Sequence, residues 1–161
     1  MRPQRFQTFA IETLLASPWI TSAEPWQDDR PFGLHLRFTE GSELWVAITA
    51  ALAPGERGDD PEAPVQADAP TAVAVPDLYE SGKISPARAE QYIAAVLNNA
   101  GCTEMDRAYA YGANGETGQA SVHPGVGVIF HNGARAFLVF AHTARPGQGK
   151  SGRQFELQDA F

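Results

Sequence analysis

Residues 53 to 76 carry Pro54, Pro61, Pro64, Pro70 and Pro76 among alanines and acids, with almost no large apolar side chain before Val73. Proline lacks a backbone donor and fixes φ, so neither a helix nor an interior strand runs through such a stretch. The segment reads as a loop or disordered linker, and a connection this long is usually functional or disordered. It divides the chain into a first block at 1–52, the linker at 53–76, a second block at 77–143 and a Gly-rich basic tail at 144–161. With 161 residues in all, the chain has room for one ordinary domain or two very small ones.

The first block opens with Phe6, Phe9, Ala10, Thr13, Leu14 and Ser17 at three- and four-residue steps after Pro3. That spacing predicts a helix over 3–17, stopped by Pro18. A strand follows over Trp19–Trp26, then a hairpin of 32–39 with 43–52 around Glu40-Gly41. In the second block, Ser85-Pro86 gives a cap and a first-turn proline, and Ala89, Tyr92, Ile93, Val96, Leu97 and Ala100 form an apolar stripe that ends before Gly101. Strands are expected over 106–111, 126–131 and 135–142, with turns at Asn114-Gly115 and Asn132-Gly133.

Gly33-x4-Phe38-x2-Gly41-x3-Trp45-Val46 superimposes on Gly125-x4-Phe130-x2-Gly133-x3-Phe137-Leu138 at an offset of 92. The expected fold class is α+β, as two helix-plus-antiparallel-sheet halves compatible with an αβββ unit used twice. Taking Asn132-Gly133 as a two-residue turn sets Val126 opposite Val139, Val128 opposite Phe137 and Phe130 opposite Arg135 on one face. The other face then holds Gly125 with Phe140, Gly127 with Leu138, and His123 with His142. The same construction in the first half sets Leu36 opposite Trp45 and Leu34 opposite Ala47, with a wetter second face bearing Arg37 and His35. The second, apolar face of the later hairpin is the expected binding surface, unless linker or tail covers it.

The net charge is −7, and the linker carries −4 of it, from Glu56, Asp59, Asp60, Glu62 and Asp68 against Arg57. An acidic chain repels phosphate backbones, and no basic, aromatic-bearing face offsets this, so nucleic acid is not an expected partner. The lone Cys102 leaves no disulfide framework and no multi-thiolate zinc site, and it pairs with no identifiable base. A cytoplasmic location follows as an expectation. The longest apolar stretch, Leu44–Ala53, falls well short of the roughly 20 residues that span a bilayer.

Ala144 with Gly149, Lys150 and Ser151 imitates a phosphate-binding loop. Such a loop needs a following helix within a parallel sheet, and ten residues after Ser151 do not supply one, so no nucleotide is expected. The basic residues Arg145, Lys150 and Arg153 are free to fold back on the acidic linker or to meet an acidic partner. Glu24, Asp28 and Asp29 near Trp19 and Trp26 read as a solvated turn.

No complete catalytic set, cofactor motif or metal-ligand spacing is present in the sequence. The expected function is therefore a nonenzymatic protein-binding accessory module of chaperone-like, immunity or assembly type, partnered by another protein or by itself. Its anchors would be Phe137, Leu138, Phe140 and Trp45, then Trp19 and Trp26. The alternative is a small-molecule-binding domain or small enzyme with a ligand or metal site near His123 and His142.

Overall fold

Proline occupies the first turn of both helices, where its missing N–H costs nothing. In the computed structural model, which describes residues 1–28, 30–112, 123–150 and 152–161, α1 spans Pro3–Leu15 and α2 spans Pro86–Asn98. The Ser85 hydroxyl accepts the Arg88 N–H at 3.3 Å, capping α2 as the sequence indicates. Strands β1 (Ile20–Pro25), β2 (Gly33–Phe38) and β3 (Glu43–Ala51) follow α1, and β4 (Met105–Ala110), β5 (Gly125–Phe130) and β6 (Arg135–Ala144) follow α2. The Asn114-Gly115 turn lies outside the described residues.

The six strands form one antiparallel sheet in the order β1-β2-β3-β6-β5-β4. The α+β class is thus realised with both halves sharing a single sheet, joined at its centre by β3 and β6. Both helices pack on one face. There, Phe6, Ala10 and Leu14 of α1 and Ala89, Tyr92, Ile93 and Leu97 of α2 meet Leu34, Leu36, Val46, Val126, Val128, Leu138 and Phe140 in one continuous core. Phe6 reaches across to Phe130, ring edge to face, with centroids 6.0 Å apart. Ser17 and Tyr92 join their hydroxyls at 2.5 Å between the helices.

The hairpin registers differ by one residue from those expected, and the cause lies in the loops. Phe38 N–H donates to Ser42 C=O at 2.9 Å, and Gly41 N–H to Phe38 C=O at 2.9 Å. Phe130 N–H donates to Ala134 C=O at 3.0 Å, and Gly133 N–H to Phe130 C=O at 2.8 Å. Gly41 and Gly133 have φ of +89° and +84°. Each loop is therefore three residues long, a turn followed by a left-handed glycine, and not the two-residue turn assumed.

Leu36 consequently faces Leu44, not Trp45, while His35 faces Trp45; Val128 faces Ala136 and Val126 faces Leu138. A one-residue slip exchanges the faces of a strand. Leu138 and Phe140, expected on the partner face, are buried under the helices, whereas Phe137 and Val139 lie half-buried on the helix-free face.

The linker contains no helix or strand, yet it is tied down along its length. The Arg2 guanidinium bonds Glu56 at 2.9 Å and the backbone carbonyls of Gly58 and Asp60, and Arg5 bridges Glu62 and Glu104 at 2.7 Å each. Farther along, Asn98 donates to Thr71 C=O at 2.9 Å, and Asn99 both accepts from and donates to the Val73 backbone at 2.9 and 2.7 Å. Glu56 and Glu62 thus serve the N-terminal end of α1.

Candidate functional site

The helix-free face carries its own smaller cluster. Trp26, Trp45, Ala47, Ala141 and Ala144 are buried together there, with Phe155 of the tail packed against them. Trp45 comes from β3 and His142 from β6 as direct cross-strand partners, and a register shift between Trp45 and Val46 leaves Ala141 as the extra residue. Trp26 follows β1, its backbone N–H donating to Gly33 C=O at 2.9 Å. The His142 ring stands edge to face on Trp26 at 5.8 Å and on Trp45 at 6.4 Å. On the other flank, His35 stacks parallel to Trp45 at 4.4 Å while its Nε2 meets Glu43 Oε2 at 2.5 Å.

The tail lies across this cluster. The Lys150 ammonium sits 5.3 Å from the Trp26 ring and pairs with Asp28, and Arg30 sits 5.5 Å from the Phe155 ring. The bond from Lys150 holds the Asp28 carboxyl below its usual range. As a result Trp26 and Trp45 are only 7% and 6% exposed, whereas Trp19 is 41% exposed and rests on Tyr79. The basic tail therefore docks on Asp28 and the sheet. Lys150 lies two residues past the turn that Gln148 N–H closes on Arg145 C=O at 2.9 Å, and no helix follows it among the described residues.

His123 and His142, expected face to face, have different surroundings. Gly125 pairs with Val139 and Phe140 N–H bonds Pro124 C=O at 3.0 Å, which sets His123 one position off His142. The His123 ring stacks on Phe155 at 4.7 Å, beside a shallow cleft lined by Ser85, Pro86 and Leu157, while His142 is covered by the tryptophans. Among the described residues, no group of three or more His, Cys, Asp or Glu side chains converges to hold a metal. Cys102 packs partly buried against the main core.

Beyond the tail, the helix-free face over β4–β6 carries half-buried aromatic and aliphatic side chains. Tyr109 of β4 and Tyr111 just after it lie side by side, separated by 6.1 Å between ring centroids. Their rings lie on Gly127 and Gly125: a Cβ at Gly127 would fall 2.2 Å from the Tyr109 ring, and one at Gly125 2.9 Å from Tyr111. Phe137 pairs with Gly127 and completes the patch with Val139. Burial first, then the nearby Tyr109 and Glu90, pushes the Tyr111 phenol well up, so it remains a neutral donor.

Sequence reasoning did not find Tyr109 and Tyr111 as surface aromatics, nor Glu90, whose buried carboxylate accepts the N–H groups of Gly112 at 2.8 Å and Gly125 at 2.9 Å. A signal for Glu90 was present: it shares a helix face with Ile93 and Leu97, three and seven residues on. Comparison with protein-family models, curated proteins and solved structures finds no match to this chain.

Proposed function

We propose that the chain is a nonenzymatic protein-binding module that works through the helix-free face of its sheet. The observation that carries this reading is the row of half-buried Tyr109, Tyr111, Phe137 and Val139 on the side opposite both helices. Rings laid on glycines make a flat, stiff, largely apolar surface with phenol groups at its edge. Tyrosine and phenylalanine are enriched in such interfaces because they offer large contact area for little conformational entropy. The groups with chemical potential have structural employment: His142 packs between tryptophans, Glu90 holds backbone amides and Cys102 packs on the core.

Of the anchors named from sequence, Phe137 belongs to this patch, Trp26 and Trp45 to its tail-covered end, and Trp19 to a separate contact with Tyr79. Leu138 and Phe140 belong to the core. We further read the two αβββ halves as a duplicated unit, because the pairs Leu34–Val46 and Leu36–Leu44 map onto Val126–Leu138 and Val128–Ala136 at the constant 92-residue offset. A duplicated unit leaves one half to retain the ancestral core while the other acquires its own surface.

The test is affinity capture from the source cells with wild type and Phe137→Asp, each first shown to melt at a similar temperature. Retention of a stoichiometric protein by wild type and its loss from Phe137→Asp supports the surface. Equal retention by both excludes it.

A further inference from the structure

The tail leaves β6 at Ala144 and is fastened again at Phe161, whose N–H and C=O bond the C=O and N–H of Ile84 at 2.9 Å each. Between those anchors it runs beside the end of β6. The β5 ladder begins opposite Val139, so the next stretch of β6, from Ala141 to Ala144, lies beyond its strand neighbour on that side. Phe155 N–H donates to Ala141 C=O at 2.8 Å and Gln158 N–H to the Thr143 hydroxyl at 2.9 Å. Among the described residues, the Phe155–Ala141 bond is the only backbone–backbone hydrogen bond joining residues 146–158 to the body of the protein.

Most of the hold is made by side chains and not by the backbone. Phe155 has φ +68°, an uncommon conformation for an aromatic residue, imposed where its ring must reach the Trp26–Trp45–Ala47 cluster. Gly147 and Gly152, both left-handed, flank the Lys150 contact, so the segment has turning points on each side. Swinging it outward breaks that backbone bond, the Gln158–Thr143 bond and the ring and charge contacts of Phe155 and Lys150, lifts Leu157 from the core, relieves the left-handed Phe155 and leaves Phe161 seated. It uncovers two tryptophans and the Ala141 carbonyl.

We infer that this segment is a built-in occupant of a peptide-docking slot, displaced by an extended segment of the protein partner that pairs with Ala141 and presents an aromatic side chain to the Trp26–Trp45 cluster. Strand addition supplies general affinity through backbone bonds, and the pocket for one side chain supplies selectivity. The tail defines the chemistry of the occupant: an aromatic residue where Phe155 sits, with a cation toward Asp28 where Lys150 sits. The inference rests on the protein-binding reading and extends its surface from Phe137 to Trp26.

The test uses the full chain carrying Trp19→Phe, so that Trp26 and Trp45 alone report. Quenching of their fluorescence by acrylamide is compared among this protein, its Lys150→Ala derivative and its Phe155→Ala derivative. The slot predicts a several-fold rise in quenching for Phe155→Ala and a smaller rise for Lys150→Ala, with cooperative melts retained. A synthetic peptide of residues 152–158, Gly-Arg-Gln-Phe-Glu-Leu-Gln, is then expected to restore shielding in Phe155→Ala, and the same peptide with Phe replaced by Ala is not. Unchanged quenching, loss of the cooperative melt in both derivatives, or failure of the Phe-containing peptide to shield overturns the slot. The Phe137→Asp capture result is read separately: capture lost there without peptide shielding here retains the sheet-face reading and rejects only the slot.

Discussion

The Glu90 carboxylate accepts the backbone N–H of Gly125 at 2.9 Å, tying the middle of α2 to the first residue of β5. Its other oxygen accepts Gly112 N–H at 2.8 Å, so one side chain clamps Gly112, just past β4, and Gly125, the start of β5. Glutamine keeps only one acceptor and turns a donor toward the second amide. Glu90→Gln is expected to lower stability by about 1–3 kcal/mol at neutral pH, measured by denaturant unfolding. Burial pushes the Glu90 carboxyl up, against the two N–H groups that pull it down. A raised folded pKa means that its stabilising contribution is fully present below the unfolded value and declines as pH rises through the folded one. The gap between wild type and Glu90→Gln therefore narrows with rising pH; a gap that widens contradicts the assignment.

The glycines beneath the tyrosines distinguish soft from hard obstacles. A Cβ at Gly127 meets the Tyr109 ring, which can swing outward, whereas a Cβ at Gly125 falls 2.3 Å from the backbone oxygen of Leu138. Gly125→Ala is expected to cost about 1–3 kcal/mol or more, and Gly127→Ala less. Thermal melts of the two variants check the order, and the reverse order would place the rings elsewhere.

The observed register separates neighbours along β6. Truncating Leu138 or Phe140, both within the core, is expected to cost about 2–5 kcal/mol, because each leaves a cavity beneath the helices. Phe137→Ala, on the opposite face, is expected to cost less than either. Equal losses at Phe137 and Leu138 would contradict the three-residue loop.

Much of this arrangement is legible from local signals. Pro3 and Ser85-Pro86 mark the helix starts, Pro18 and Gly101 the stops, and every strand falls within a residue or two of its apolar run. The failure concerns a single residue per loop: Asn132-Gly133 satisfies a two-residue turn on paper, but Gly133 takes the left-handed position that closes a three-residue loop. That choice moved Leu138 and Phe140 to the wrong face and brought His123 opposite His142. The Trp26–Trp45–His142 cluster was illegible for another reason. It joins a residue after β1 to strands from each half, a long-range contact with no local periodicity.

The linker contacts make a prediction on the acid side. The bond from Arg2 lowers the Glu56 carboxyl. For Glu62, burial acts upward but is outweighed by the Arg2 N–H and Arg5. A depressed folded pKa gives stability that is present above the unfolded value and lost as pH falls through the folded one. Glu62→Gln is expected to cost under about 1 kcal/mol at neutral pH. Its melting temperature is expected to converge on that of wild type below about pH 4, where carboxylates protonate. Parallel curves across that range would remove the linker from the account.

Hydroxyl-radical footprinting of the captured complex tests the binding face most directly. The account predicts that Tyr109, Tyr111 and Phe137 lose reactivity when the partner is bound, while the exposed Leu15 at the end of α1 keeps its own. Protection of Leu15 and the helical side, with Tyr109, Tyr111 and Phe137 as reactive as in the free protein, would contradict it.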